Sequence, residues 1–153
     1  MSLPHHDGEL DQTVRLFIVT TAAETGHVPQ PDAIAAGLGH PRPAVDGALA
    51  RLAAGRAIIP APNSTNVWAA NPFCATPTSF HVAARGRTYH GICIWDALGI
   101  PAALDADATV AAACGDCGDS MTLEVRHGRL MRAEGVVHFG VPAARFWDNI
   151  AFT

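Results

Sequence analysis

A cysteine three residues before an aspartate is the pair in this chain best suited to chemistry. Cys93 and Asp96 lie in an otherwise apolar stretch, Tyr89 to Pro101. Residues i and i+3 share one face of a helix, so a helical backbone would bring the thiol and the carboxyl together. A thiolate is a soft nucleophile and metal ligand, and a carboxyl beside it can carry a proton. The pair predicts chemistry on a soft centre, with a buried thiol and a helix-capping Asp96 as the structural alternative.

A Cys-x-x-Cys motif follows, formed by Cys114 and Cys117 around a Gly-Asp pair. A zinc ribbon needs two such motifs, and this chain has one. A thioredoxin-like pair would sit at the start of a helix, whereas glycine and aspartate favour a turn. Cys114 and Cys117 are therefore candidate metal ligands, and two alternatives stay open: a redox pair, and a buried structural thiol at Cys114.

The eight histidines form neither an HExxH nor an HxH pattern. His90 alone is near the candidate thiol, three residues before Cys93. On a strand, residues three apart point to opposite faces, so we expect a structural role for His90.

Composition excludes several classes of function. The 153 residues are 49% hydrophobic and 16% charged, with a net charge of −4. This balance argues against non-specific binding to nucleic acid or to anionic membranes. All ten basic side chains are arginine, which excludes a lysine nucleophile or Schiff base. The sequence lacks the pattern of a signal peptide or membrane span, so we expect a cytoplasmic protein with free, catalytic or metal-binding cysteines.

The first half of the chain is predicted to be helical. After a disordered tail over 1–8, apolar residues recur at helical spacing over 9–25, and two shorter helices follow over 31–38 and 42–54. A hairpin is predicted around the polar turn 62–66. Three helices and a hairpin predict a winged-helix-like domain over 9–70, followed by a linker over 71–78.

The second half, 79–153, is predicted to form a mostly antiparallel sheet, so the fold class is α+β. Strands are expected over 79–84, 88–93, 109–114, 120–126, 130–133 and 136–141. A helical turn broken at Pro101 is expected over 95–104, and a final helix begins at Ala143.

A winged helix can bind DNA through its third helix. Here only Arg42, Arg51 and the following Arg56 could contact phosphates, which is too few for strong binding in an acidic protein. We therefore expect this domain to be a helical cap, and nucleic acid to be an unlikely partner.

The residues around Cys93 resemble the alkylmercury (organomercurial) lyase family. The shared core is Cys93-x-x-Asp96-x-Leu98 followed by Pro101, with Cys114 at the family's spacing. An N-terminal winged-helix-like domain is typical of the family. The linker Asn71-Pro72-Phe73 with Pro77-Thr78-x-Phe80 is also similar.

This resemblance implies cleavage of a carbon–mercury bond, giving a hydrocarbon and Hg²⁺. Cys93 would be the catalytic thiolate that captures mercury, and Asp96 would relay the proton to the leaving carbon. A lowered pKa is expected for Cys93 at a helix start. Cys114 would match a structural cysteine of the family.

The resemblance also implies a second catalytic cysteine, at or just beyond Thr153. The chain shows none there, so we expect either a C-terminally truncated sequence or a member without that thiol.

The predicted function is that of an organomercurial lyase-like enzyme without an organic cofactor. Its partners would be the organomercurial substrate and, as acceptors of Hg²⁺, small thiols or a mercuric reductase. The alternative is a soft-metal binding or sensing protein that contacts DNA through its winged helix and has no lyase turnover.

Overall fold

The computed structural model describes residues 5–132 and 135–151. The chain forms two compact units, Met1–Pro77 and Thr78–Thr153. Helices come first and antiparallel sheets follow, so the predicted α+β class is confirmed. No helix in the described part of the chain is long and apolar enough to cross a membrane.

Three helices begin the first unit: α1 (His5–Thr25), α2 (Pro31–Leu38) and α3 (Arg42–Ala54). Apolar residues at helical spacing on each helix are buried between them. Those with no or almost no exposed surface are Val14, Ile18, Ile34, Val45, Ala48 and Leu49. Gly39 ends α2 in the left-handed conformation that glycine tolerates.

A small antiparallel sheet completes this unit, in the order β1 (Ile59–Pro60), β2 (Val67–Ala70), β3 (Phe73–Cys74). The β3 strand lies inside the segment predicted as a linker, because Phe73 and Cys74 are buried and pair with β2. At the other end, α1 includes residues 5–8 of the predicted tail; residues 1–4 lie outside the described chain. The winged-helix interpretation stays a prediction.

The second unit is a five-stranded antiparallel sheet with one α-helix. The elements are β4 (His81–Ala84), β5 (Arg87–His90), α4 (Ile94–Leu104), β6 (Ala108–Ala113), β7 (Ser120–Arg126) and β8 (Arg129–Leu130). The strand order is β5-β4-β6-β7-β8. Alternate residues of each strand point to one face, and α4 packs against β4 and β6. A row of paired residues runs across the sheet through the buried Tyr89, Val82 and Val110 to the half-buried Leu123.

Helix α4 continues past Pro101, where the sequence predicted a break. The ring of Pro101 is buried with Ala97, Ile100 and Leu104 on one side of the helix. Burial of this apolar side offsets the backbone hydrogen bond that proline removes. The helix ends at Asp105, which adopts the left-handed conformation.

The segment 136–141 was predicted to be a strand, and this prediction is wrong. These residues pair with no strand in the described chain, and Val136 is 92% exposed. Gly135 has a positive φ and Pro142 lacks an amide donor, so the segment is poorly suited to extend the ladder beyond β8. A 3-10 helix (Ala143–Asp148) stands where an α-helix was expected.

Candidate active site

Cys93 and Asp96 meet at the start of α4. Cys93 is the extended residue just before the helix, and Asp96 lies in its first turn. The Cys93 thiol donates to Oδ2 of Asp96 across 3.6 Å. The two side chains lie on one face, as their spacing of three residues predicted, because the turn between them is helical.

Asp96 begins the buried side of α4. Its side chain is 8% exposed, and no other charged side chain among the described residues is buried. Burial raises the pKa of this carboxyl, and the hydrogen bond from the Cys93 thiol opposes the rise. A carboxylate in this setting accepts a proton more readily than one in water, which suits a proton relay.

Burial also raises the pKa of the Cys93 thiol, although the backbone amide of Asp96 partly opposes this effect. The expectation of a lowered pKa at a helix start is wrong here, because desolvation of the thiolate outweighs the amides at the helix terminus. The thiol form of Cys93 is therefore favoured over the thiolate at neutral pH.

Gly91 allows the chain to pass close to the start of α4. A Cβ atom built on Gly91 would lie 2.7 Å from the Ala97 amide nitrogen and 3.0 Å from Asp96 Cβ. The Thr78 hydroxyl donates a hydrogen bond to the Gly91 carbonyl at 2.6 Å, which holds Gly91 in this position. Both contacts set where Cys93 and Asp96 lie, and no role at this site was predicted from the sequence for Gly91 or Thr78.

A cavity of about 570 Å³ lies at the end of the sheet beside Cys93. Cys93 and Cys114 both line it, together with Met121. The segment 136–140, which fails to form a strand, supplies another wall. The remaining lining residues are Phe80, Ile94, Ala112, Ala113, Gly115 and Asp116.

The Cys-x-x-Cys motif forms a turn between β6 and β7. The turn is closed by hydrogen bonds from the Cys114 amide to the Asp119 carbonyl (2.8 Å) and from the Gly118 amide to the Cys114 carbonyl (2.9 Å). Cys114 is half-buried and Cys117 is exposed, and both are free thiols. Backbone amides of Cys117 and Asp116 lower the pKa of Cys114. Cys114 is therefore more accessible than the buried structural thiol considered from the sequence.

No group of three or more His, Cys, Asp or Glu side chains in the described residues is arranged to hold a metal ion. Cys117 is likewise absent from the lining of the cavity that Cys93 and Cys114 share, as far as the chain is described.

His90 lies on the face of the sheet opposite Tyr89 and pairs with His81 across β4 and β5. The two rings form an edge-to-face contact at 5.0 Å. Burial, with the neighbouring His81, lowers the pKa of His90. His90 is thus placed as a structural residue of the sheet.

Next to Cys93, an apolar cavity of about 650 Å³ is walled by Trp95, Phe139 and Phe146. The Trp95 and Phe139 rings are 6.3 Å apart, and those of Phe139 and Phe146 are 5.1 Å apart. Phe139 lines both this cavity and the one that contains Cys93. Phe139 belongs to the largely apolar run between Gly135 and Gly140, which the sequence predicted to be a strand and not a cavity wall.

Comparison with known proteins gives the family. No curated protein matches the chain. One solved structure, described as the mercury-bound form of MerB2, superposes with a TM-score of 0.62 at 21% sequence identity. The match covers 86% of this chain and 61% of that one, so the chain spans less than two thirds of its length. At this identity the likeness is one of fold.

The profile of the family described as MerB, alkylmercury lyase, matches residues 73–153. This stretch is more than half of the chain and contains Cys93, Asp96, Cys114 and Cys117. The chain belongs to the alkylmercury lyase family.

Proposed function

We propose that this protein cleaves the carbon–mercury bond of organomercurials, with Cys93 as the mercury-capturing thiol and Asp96 as the proton relay. The observation that supports this most directly is the contact of 3.6 Å between the Cys93 sulfur and a buried carboxyl oxygen of Asp96. Mercury is a soft metal and prefers thiolate ligands. The family match supports the same reaction.

The reaction needs no change of oxidation state. Cys93 displaces the thiolate of a substrate R–Hg–SR′, which leaves as R′SH with the Cys93 proton. A second thiol then gives its proton to Asp96, and its sulfur binds mercury. The carbon–mercury bond breaks with its electron pair on carbon, which takes the proton from Asp96 to give R–H. Mercury remains Hg(II), held by two thiolates.

Asp96 suits this sequence because its carboxylate has a raised pKa. It accepts a proton from the incoming thiol and gives it to a carbanion-like carbon, a much stronger base. The apolar wall of Trp95, Phe139 and Phe146 is suited to the organic group. The protein would act in the cytoplasm without an organic cofactor and pass Hg²⁺ to small thiols or to a mercuric reductase.

The DNA-binding alternative has little support in the structure. Arg42 forms ion pairs with Asp32 and Asp46, and Arg51 pairs with Asp11. Carboxylates beside these arginines would oppose contact with phosphates.

The test is release of benzene from phenylmercury in the presence of excess small thiol, measured by gas chromatography of the headspace. We expect release by the 153-residue chain and by Cys117→Ser, and none by Cys93→Ser. Benzene release no faster than in protein-free thiol buffer would contradict the proposal.

A further inference from the structure

The Cys114–Cys117 pair in the turn between β6 and β7 is not used by the proposed lyase reaction, and its backbone is suited to a disulfide. The Gly118 amide bonds to the Cys114 carbonyl at 2.9 Å, and the Cys114 amide bonds to the Asp119 carbonyl at 2.8 Å. Residues three apart in a turn have Cα atoms within about 7 Å of each other. A disulfide bridges Cα separations of about 4.4–6.8 Å, so this turn can hold one.

The side chains converge as well as the backbone. The Cys117 amide, the Asp116 amide and the Cys117 thiol all form hydrogen bonds to the Cys114 sulfur. These donors stabilise the Cys114 thiolate and lower the pKa of that thiol. A thiolate is the form that attacks a disulfide, and the Cys117 sulfur lies beside it, where it can complete the exchange.

Both sulfurs can be reached by a small molecule, but from different directions. Cys117 is exposed, and both cysteines are free thiols. Cys114 is half-buried and lines the cavity of about 570 Å³ at this end of the sheet. A cavity of this volume is in the range that holds a small organic molecule. A reactant can therefore meet Cys114 while Cys117 stays free to react next.

Other partners for Cys114 fit the structure less well. A structural zinc ion takes four ligands, and no third His, Cys, Asp or Glu joins the two thiols to form such a site in the described part of the chain. Cys93 shares the cavity, but its thiol donates to Asp96, and burial raises its pKa. The pair in the turn is therefore better suited to two-electron thiol chemistry than to a metal site.

We propose that Cys114 and Cys117 form a thiol–disulfide exchange site, which reduces a small-molecule disulfide and becomes an intramolecular disulfide. The inference does not rest on the proposed lyase function. Asp116 and Asp119 are exposed in the same turn, and no basic residue lies between Cys114 and Met121. Carboxylates repel an anionic reactant, so the disulfide that reacts best is uncharged or cationic.

The exchange proceeds in two displacement steps. The Cys114 thiolate attacks one sulfur of R–S–S–R, the bond between the two sulfurs breaks, and RS⁻ leaves and takes up a proton to give RSH. The Cys117 thiol then loses its proton to water, and its sulfur attacks the Cys114 sulfur and displaces the second RS⁻, which also becomes RSH. The net change is two cysteine thiols plus R–S–S–R giving the Cys114–Cys117 disulfide and two RSH. Two electrons pass from the cysteine sulfurs to the small disulfide.

Disulfide mapping on the wild-type chain tests the proposal without any substitution. The reduced protein is freed of reductant, treated with one equivalent of bis(2-hydroxyethyl) disulfide, quenched with acid and alkylated with N-ethylmaleimide. Tandem mass spectrometry then locates each cysteine. We expect a Cys114–Cys117 disulfide, with Cys74 and Cys93 alkylated as thiols. A disulfide between Cys93 and Cys114, or four alkylated cysteines, would overturn the inference.

Cys117→Ser separates the two steps. Because the second thiol is missing, Cys114 should accumulate as a mixed disulfide that carries one RS group. Cys93→Ser is the matched control, and it should form the Cys114–Cys117 disulfide at a rate within about twofold of wild type. A mixed disulfide at Cys93 instead of Cys114 in the Cys117→Ser protein would refute the assignment. Loss of the disulfide in Cys93→Ser would refute it as well.

Three reactants of similar size test the charge preference. Cystamine is cationic, bis(2-hydroxyethyl) disulfide is uncharged and 3,3′-dithiodipropionate is anionic. We expect the rate of disulfide formation to fall in that order, by about tenfold from first to last at low salt. The spread should narrow at about 0.5 M NaCl, since salt screens the exposed carboxylates. A spread that salt leaves unchanged would overturn the assigned class of reactant.

Discussion

The Cys93 thiol is the hydrogen-bond donor to Asp96 Oδ2, at 3.6 Å, and the carboxyl that accepts it is buried at the first turn of α4. Burial raises the pKa of both groups, so the neutral thiol is favoured over the thiolate at neutral pH. The proposed proton transfer from thiol to carboxyl therefore requires no movement of the backbone between the two residues.

Asp96→Asn should separate mercury binding from bond cleavage. The amide cannot relay a proton, so benzene release from phenylmercury should fall by about 10²- to 10⁴-fold, the usual contribution of a positioned acid or base. Binding of HgCl₂ should persist, because Cys93 remains. Single-turnover gas chromatography and native mass spectrometry measure the two properties. Release within a factor of about two of wild type would exclude Asp96 as the relay.

Asp96 should also make stability depend on pH in a defined direction. Its raised pKa means that the folded protein binds this proton more tightly than the unfolded chain. Its contribution is therefore most favourable below the ordinary value of 3.8, and it declines as pH rises through the raised value. Asp96→Asn removes this decline. Relative to wild type, the variant should gain unfolding free energy as pH rises above the ordinary value of 3.8, as measured by urea denaturation at a series of pH values. A pH-independent difference would contradict this account.

Gly91→Ala should disturb the start of α4. The added Cβ would lie 2.7 Å from the Ala97 amide nitrogen, so the helix start or β5 must shift. We expect a loss of stability of about 1–3 kcal/mol and reduced benzene release, measured by thermal unfolding and the lyase assay. Gly47→Ala is the control, because its Cβ would meet only the end of the flexible Arg51 side chain at 3.4 Å, within helix α3. Alanine there should leave stability unchanged or raise it by up to about 1 kcal/mol. Equal behaviour of the two variants would show that the close approach at Gly91 is unimportant.

Phe139 should influence the choice of organic group. Its ring contacts Trp95 and Phe146 and lines the cavities on both sides. Phe139→Ala should raise KM for phenylmercury by roughly tenfold while changing KM for methylmercury much less, because the smaller group needs less apolar wall. Leu16→Ala, an exposed apolar residue of α1, is the control. An equal effect on both substrates would argue against an organic-group site at this wall.

The arginines of α3 should not support DNA binding. Arg42 and Arg51 are paired with Asp46 and Asp11 at 2.8 Å. Fluorescence anisotropy with duplex DNA at low salt, with and without Hg²⁺, should show no salt-dependent association. A mercury-dependent shift that weakens with salt would restore the sensing alternative.

Much of the fold follows from local patterns. Helices α2 and α3 have the predicted bounds, because glycines and prolines at their ends mark start and stop. The wrong strand prediction at 136–141 shows that local composition alone does not specify a strand. Its Val-Val-His-Phe run has strand-like composition, but a strand also needs a free neighbouring edge at the right register. The structure uses these residues as cavity wall instead.

The sequence by itself determined the Cys93–Asp96 pair, because any helical turn brings residues three apart onto one face. The residues that resemble the family lie within the same short stretch of sequence. Tertiary structure decided the direction of the Cys93 pKa, since desolvation depends on what α4 packs against. It also decided that Cys114 lines the cavity of Cys93 while Cys117 does not. The two cysteines are three residues apart in sequence, and their different surroundings come from the order of strands across the sheet, which no local spacing specifies.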